Sequence, residues 1–151
     1  MTRIELEYMT LVCKASDEQD GGSCFVGNAD SLLPGMTQHG FTQKQAWECQ
    51  RSLRRAGLVQ LHANFDVPDS EVDPNWSRPA PELTITPAGV RWCLIREYGE
   101  SGYARLLRDV RQVIAENLPK GGGNLDLQMW ADAIGQPLLI LQRAIYAERL
   151  L

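Results

Sequence analysis

Apolar and polar residues follow two different periods along the chain, and together they predict mostly helices with two short strands. In the helical segments, apolar residues recur every three to four positions, which places them on one face. In the strand segments they recur at every second position. The predicted helices cover residues 4–15, 28–33, 43–56, 88–98, 103–118, 126–134 and 137–151, the strands 59–65 and 82–85, and loops 17–27, 34–41 and 66–81.

The strongest local pattern predicts the helix over residues 43–56. Thr42 is followed three residues later by Gln45, the spacing of a capping box, in which each side chain binds the other residue's backbone N–H. Gly57 stands where a left-handed residue ends a helix. The apolar residues between these signals are three or four positions apart and form one face: Ala46, Cys49, Leu53 and Ala56.

Length and composition indicate a soluble globular chain. It has 151 residues, of which 44% are hydrophobic and 23% are charged, as in ordinary globular domains. The longest apolar run, residues 138–141, is far shorter than the roughly 20 residues that span a bilayer. The first residues contain no apolar stretch typical of a secretory signal. We therefore expect a cytoplasmic protein without membrane contact.

Residues 41–92 resemble the winged helix-turn-helix family of bacterial regulators. The resemblance rests on Phe41-Thr42-Gln43-Lys44, on Leu53-Arg54-Arg55-Ala56-Gly57-Leu58-Val59, and on Leu83-Thr84-Ile85-Thr86-Pro87-Ala88-Gly89. With the first helices it extends over about residues 4–98. It implies a mainly α fold with a small β-hairpin (α+β), with a winged helix-turn-helix domain at 1–99 and a C-terminal helical region at 100–151.

The resemblance implies double-stranded DNA as the partner and transcription regulation as the function. The helix over 43–56 would then lie in the major groove. Its DNA-contacting residues would be Gln43, Lys44, Arg51, Arg54 and Arg55. The alternative is a solvated helix face with ordinary surface ion pairs. Trp47, beside this face, is expected to pack rather than to stack on a base.

The segment at the position of the wing departs from the family pattern because it is acidic. The whole chain also has a net charge of −4, so DNA binding requires a local basic patch. Phosphates would repel such a wing. The alternative function is a protein–protein interaction module, an adaptor or an inhibitor encoded by a mobile element, with no DNA binding. The charged residues of the segment are Asp66, Asp69, Glu71, Asp73 and Glu82 against Arg78.

Residues 124–151 resemble a second, degenerate helix-turn-helix. Leu139 and Ile140 stand where the first unit has Trp47 and Glu48. These side chains are poor at reading bases and suited to burial, so we predict a protein interface here, for packing or for a homodimer. A plain helical hairpin that closes the core is the alternative.

No catalytic or metal-binding motif stands out in the sequence. The four cysteines form no C-x-x-C pair, and the two histidines do not have zinc-finger spacing from them. No nucleophile, acid–base pair or phosphate loop is recognisable. We therefore expect no enzymatic activity, no cofactor and no metal.

Overall fold

The computed structural model describes residues 1–17, 25–62, 81–118 and 125–151. These residues are mostly helical and contain a small antiparallel sheet, which confirms the predicted mainly α fold class. The elements are α1 (Arg3–Asp17), β1 (Phe25–Asn28), α2 (Leu33–Gln38), α3 (Gln43–Arg55), β2 (Val59–His62), β3 (Glu82–Ile85), α4 (Pro87–Asn117), α5 (Leu127–Ile134) and α6 (Leu138–Glu148).

The chain divides into two units, Met1–Gly89 and Val90–Leu151. The division falls inside α4. This helix is interrupted at Gly99, whose φ of 73° and ψ of 167° are not helical. The interruption was predicted over residues 99–102, but within α4 only Gly99 leaves the helical conformation. The domain boundary at residue 99 stays a prediction.

The first unit contains a strand that the sequence did not predict. β1 lies in the segment expected to be a loop, and it pairs antiparallel with β3, with Phe25 opposite Thr84. The strand order is β1-β3-β2, and Val59 of β2 faces Ile85 of β3. β1 has four residues and includes a glycine, so its own pattern is too short to indicate a strand. Its partner is more than fifty residues away.

The second helix also differs from its prediction. A helix was expected over residues 28–33 with its end at Pro34, but α2 begins at Leu33 and Pro34 lies in its first turn. Proline is tolerated there because the first N–H groups of a helix have no intrahelical acceptor. Residues 29–32 form a turn instead. Met36 of α2 is fully buried.

The helices and the sheet of the first unit share an apolar core. The predicted helix over 4–15 is confirmed as α1, and the predicted strand over 82–85 as β3. Each contributes residues at its own period, three to four for helices and two for strands. The buried residues that form this core are Tyr8, Met9, Val12, Met36, Ala46, Leu53, Val59, Leu83 and Ile85.

The start of α4 is fixed against the end of α3. Thr86 accepts a hydrogen bond from the backbone N–H of Gly89 at 3.1 Å, as predicted for a cap, and its hydroxyl donates to the carbonyl of Gly57. Gly57 has a φ of 78° and ends α3 in the predicted left-handed conformation. A Cβ at Gly89 would overlap the carbonyl oxygen of Leu58. Two of the three stretches behind the family resemblance, residues 53–59 and 83–89, therefore join the sheet to the flanking helices.

The second unit consists of the greater part of α4 followed by α5 and α6. Asp126 caps α5 by accepting from the N–H of Met129 at 3.0 Å, as the sequence predicts, and Gly135 ends it with a φ of 68°. The predicted helices over 103–118 and 126–134 correspond to the second half of α4 and to α5. The helix predicted over 137–151 is α6, but it ends at Glu148 rather than at residue 151, because Arg149 takes the left-handed conformation with a φ of 51°. The buried residues of these helices include Tyr103, Leu106, Val110, Val113, Trp130, Ala131, Leu141, Ala144 and Ala147.

Three expectations fall outside the described residues. They are the end of the predicted strand at 63–65, the loop over residues 66–80 with the acids Asp66, Asp69, Glu71 and Asp73, and the glycines 121–123. Of the acidic wing residues, Glu82 is described. It is exposed at the first position of β3.

Candidate nucleic-acid interface

Helix α3 begins at the predicted capping box. The N–H of Gln45 donates to the Thr42 hydroxyl at 3.1 Å, and the N–H of Thr42 donates to the Gln45 side chain at 2.8 Å. Two backbone donors at the first turn are thereby satisfied. The start of the helix, and with it the position of Gln43 and Lys44, is fixed by residues adjacent in sequence.

A buried glutamine anchors the middle of α3. The Gln50 Nε2 donates to the Tyr8 hydroxyl at 2.7 Å and to the Ala29 carbonyl at 2.9 Å, which connects α3 to α1 and to the residue after β1. Gln50 was not among the predicted site residues. Gln50 is four residues after Ala46 and three before Leu53, and this spacing places it on the buried face of α3. The spacing is the feature of the sequence that predicts the burial of Gln50.

Three of the predicted DNA-contacting residues share one stripe of α3. Lys44, Arg51 and Arg55 are separated by seven and then four residues, spacings that return to the same side of a helix. Lys44 and Arg55 are exposed, whereas Arg51 is partly buried and its Nε atom is inaccessible to solvent. At 1.5 Å per residue the stripe is about 16 Å long. It lies opposite the buried face that contains Ala46 and Leu53.

The other two predicted residues lie away from that stripe. Gln43 is exposed in the first turn, whereas Arg54 is partly buried and its Nε atom is inaccessible to solvent. Burial raises the pKa of Tyr8 well above its usual range, and the Gln50 hydrogen bond and the positive charge of Arg54 act in the opposite direction. Arg54 is therefore close enough to α1 to affect Tyr8, and it borders the core rather than the open face.

An acidic residue lies on the same exposed side. Glu48 forms an ion pair with Lys44 at 3.9 Å, and the two side chains are 61% and 85% exposed. Ion pairs this exposed contribute roughly 0–1 kcal/mol. The pair therefore holds Lys44 only weakly and leaves it free to exchange Glu48 for another anion.

Trp47 packs in the protein, as the sequence analysis expected. Its side chain is buried, and its indole N–H has no hydrogen-bond partner in the part of the chain that the structure describes. A base cannot stack on a ring in this position. Trp47 therefore contributes to the packing of α3 and is not a base-contacting residue.

A further basic residue lies beside the start of α3. The guanidinium of Arg3 lies 5.7 Å from the centre of the Phe41 ring, one residue before the capping threonine. This distance is typical of a cation–π contact. Arg3 was not predicted as a site residue, because no local pattern relates it to a helix forty residues later.

The predicted protein interface at Leu139 and Ile140 lies in the first turn of α6. Both side chains are partly buried. More exposed apolar residues are found nearby in sequence: Leu125 is 50% and Met129 is 52% exposed. The second unit thus shows apolar surface, and the assignment of the interface to Leu139 and Ile140 stays a prediction.

Comparisons with family models, curated proteins and solved structures gave no match for this chain. Within the described ranges, no helix has both the length and the apolar character needed to cross a bilayer. Among the same residues, histidine, cysteine and carboxylate side chains do not gather in threes or more as metal ligands would.

Proposed function

We propose that this chain is a winged-helix DNA-binding protein, a transcriptional regulator that reads double-stranded DNA with α3. The observation that carries the proposal is the basic stripe of α3. The helix packs through Ala46, Gln50 and Leu53, and on its opposite side it exposes Lys44 and Arg55, with the partly buried Arg51 between them.

The order of the elements supports the winged fold. Three helices, α1 to α3, precede the antiparallel pair β2 and β3, and Thr86 returns the chain to the end of α3. This is the layout that the resemblance to winged helix-turn-helix regulators implies. β1 adds a third strand on the free edge of β3.

The side chains of α3 suit the two kinds of DNA contact. Lys44 and Arg55 are exposed cations that would bind phosphates and fix the position of the helix. Gln43 and Arg51 have the hydrogen-bonding groups that recognise adenine and guanine edges in the major groove. Arg3, next to Phe41, would add a phosphate contact at the same end as Lys44.

The test is a fluorescence-anisotropy titration of mixed-sequence duplex DNA at several salt concentrations. Each phosphate contact contributes about −0.9 to the slope of log K against log salt. The double variant Lys44→Ala/Arg55→Ala should therefore reduce the slope by about 2. Both residues are exposed, so the fold should be retained.

The matched control is Arg105→Ala/Arg111→Ala, which changes the net charge equally at exposed positions of α4. It should leave the slope unchanged. Equal effects of the two double variants would contradict the assignment of α3 and indicate attraction by net charge alone. Absence of binding at low salt would contradict DNA binding itself, because non-specific affinity accompanies specific affinity.

A protein-interaction module, as an adaptor or a mobile-element inhibitor, is the second candidate. It is favoured by the exposed apolar side chains of Leu125 and Met129 and by the net charge of −4. A homodimer in the cytoplasm would suit either function, since two-fold proteins bind two-fold DNA sites. Light scattering on the wild type and on Met129→Glu tests whether this surface forms a homodimer: dimerisation through it predicts a monomeric variant.

A further inference from the structure

Helix α4 is interrupted at a single exposed residue, Gly99, in the second unit. Its φ of 73° and ψ of 167° belong to a backbone conformation that is essentially restricted to glycine. The residues on both sides of it are helical. Apart from the backbone of α4, no described residue has an atom within 4 Å of the position that a Cβ at Gly99 would take. The glycine is therefore required by the backbone conformation and not by packing around it.

One carboxylate oxygen of α6 binds residues on both sides of Gly99. The Oε1 atom of Glu148 accepts from the Nε of Arg91 at 2.9 Å and from the Tyr103 hydroxyl at 2.7 Å. In a straight helix, Arg91 and Tyr103 would be about 18 Å apart along the axis and about a third of a turn apart in direction. Side chains in those positions do not converge on one oxygen atom. The change of direction at Gly99 therefore brings the two donors together.

The same contacts are available without the interruption if two copies of the chain share them. Tyr103 and Glu148 both follow Gly99 in the sequence, so their hydrogen bond stays within one copy. Arg91 precedes Gly99, and a straight α4 carries it away from the Glu148 of its own copy. A second copy in the same state has the same two groups to offer. Each Arg91 can then bind the Glu148 of the other copy, in a two-fold arrangement that closes.

We propose that this chain forms an exchanged dimer, in which two copies swap residues 100–151. In this dimer α4 continues as one helix through Gly99, and Arg91 binds Glu148 of the partner copy. Exchange of an identical element is a low-cost route to a dimer, because no new contact has to be created. The straight form also relieves the glycine-only conformation at residue 99. Association costs translational and rotational freedom, so the bent monomer is favoured at low concentration.

The first test is Gly99→Ala, because alanine is strained at the observed φ and ψ and favours a continuous helix. The chain is refolded over a range of concentrations and measured by light scattering. We expect a dimer dissociation constant at least tenfold lower than that of the wild type. The matched control is Gly135→Ala, at a glycine with a φ of 68° and with open space around its Cβ position among the described residues. Gly135 ends α5 and interrupts no helix, so its replacement should change the constant less than twofold.

The second test detects the exchange itself through the charges of the contact. Arg91→Glu and Glu148→Arg each place like charges at this contact within one copy. In a mixed exchanged dimer both contacts regain opposite charges, because each copy supplies the group that the other needs. Native mass spectrometry of the two chains refolded together should show mixed dimers in at least tenfold excess over like dimers, whereas random pairing gives equal amounts. The pair is measured both with Gly99 retained and with Gly99→Ala, so the test does not depend on the folding of one variant.

A dimer through the exposed apolar residues of α5 is a different assembly. Met129→Glu separates the two, because it should leave the exchanged dimer intact. Circular dichroism confirms the fold of each variant.

A folded Gly99→Ala chain that stays monomeric at every concentration would overturn the proposal. So would random pairing, or the absence of dimers, in both experiments with the charge variants, since a dimer without exchange keeps like charges within each copy. None of these measurements uses DNA, so their outcome is independent of the test of α3.

Discussion

Gln50 and its neighbour Cys49 lie on the buried face of α3, and burial determines the hydrogen bonding of the first and the thiol pKa of the second. Gln50 is a polar side chain in the core, and its amide nitrogen is satisfied by Tyr8 and Ala29. Its Oε1 atom is buried without a partner among the described residues. A buried unpaired acceptor costs roughly 1–3 kcal/mol. The two hydrogen bonds that Gln50 donates therefore hold α3 in place despite the cost of its unpaired Oε1 atom.

Cys49, next to Gln50, should be chemically inert in the folded protein. Burial raises the pKa of its thiol to about 12, and the charge of Glu5 acts in the same direction. The reactive thiolate is therefore scarce at pH 8. We expect peptide-resolved mass spectrometry to find Cys49 unmodified by iodoacetamide under native conditions and modified in denaturant.

The raised pKa of Cys49 also determines the direction in which the stability of the protein changes with pH. The unfolded thiol ionises near its ordinary pKa of 9, whereas the folded thiol stays neutral up to about pH 12. Cys49 should therefore reduce stability as the pH rises above about 9, and Cys49→Ala should lessen this fall. Rapid alkylation of Cys49 in the native protein at pH 8 would contradict its burial.

At the level of elements, the junction between α3, the sheet and α4 is the most constrained part of the first unit. Thr86 contacts both Gly57 and Gly89, and the N–H of Thr86 donates to the Leu58 carbonyl at 3.2 Å. The residues after α3, the residue after β3 and the start of α4 meet here, and no space is left for a side chain at Gly89. The position of the hairpin relative to α3 depends on this contact.

Gly89→Ala should destabilise the first unit. The added methyl group would overlap the Leu58 carbonyl oxygen and lie 2.6 Å from Ile85. Overpacking costs about 1–3 kcal/mol, and the better helix propensity of alanine offsets up to about 1 kcal/mol. We expect a net loss of about 2 kcal/mol in urea unfolding. Ala88→Ser, at the exposed neighbouring position, is the control, and an unchanged midpoint for Gly89→Ala would disprove the close approach.

At the level of the whole molecule, charge is distributed unevenly. The chain carries 15 basic and 19 acidic residues, yet four of the basic residues and one acidic residue lie on α3. DNA would be attracted to this helix and repelled by the acidic remainder. The proposed DNA binding is therefore orientation-dependent and steeply sensitive to salt.

In the second unit, one carboxylate connects three segments that are far apart in sequence. Glu148 of α6 accepts from Arg91 at 2.9 Å and from the Tyr103 hydroxyl at 2.7 Å, on either side of the interruption at Gly99. Burial, followed by this hydrogen bond, raises the pKa of Tyr103 above its usual range. The contact fixes α6 to both parts of α4.

Glu148→Ala should therefore cost more than the loss of an exposed ion pair. It leaves the buried Tyr103 hydroxyl without this acceptor, at a cost of about 1–3 kcal/mol, whereas Glu48→Ala should cost less than about 1 kcal/mol. Urea unfolding of both variants checks the difference. In a double-mutant cycle, Tyr103→Phe should lessen the effect of Glu148→Ala, and strict additivity would show that the two side chains are not coupled.

The sequence alone determined the limits of α3, the strand β3 and the cap of α5. Each depends on residues within a few positions of one another: Thr42 with Gln45, Gly57 after the last turn, and Asp126 before Met129. It also placed Lys44 and Arg55 on the exposed side, because the helical period follows from the pattern of apolar residues.

Only the tertiary structure decided β1, the start of α2, the partial burial of Arg51 and Arg54, and the partners of Gln50. β1 exists because β3 offers it an edge, with Phe25 opposite Thr84. Gln50 binds Tyr8 forty-two positions away. Such features depend on distant residues meeting in space, and a local pattern carries no information about which residues those are.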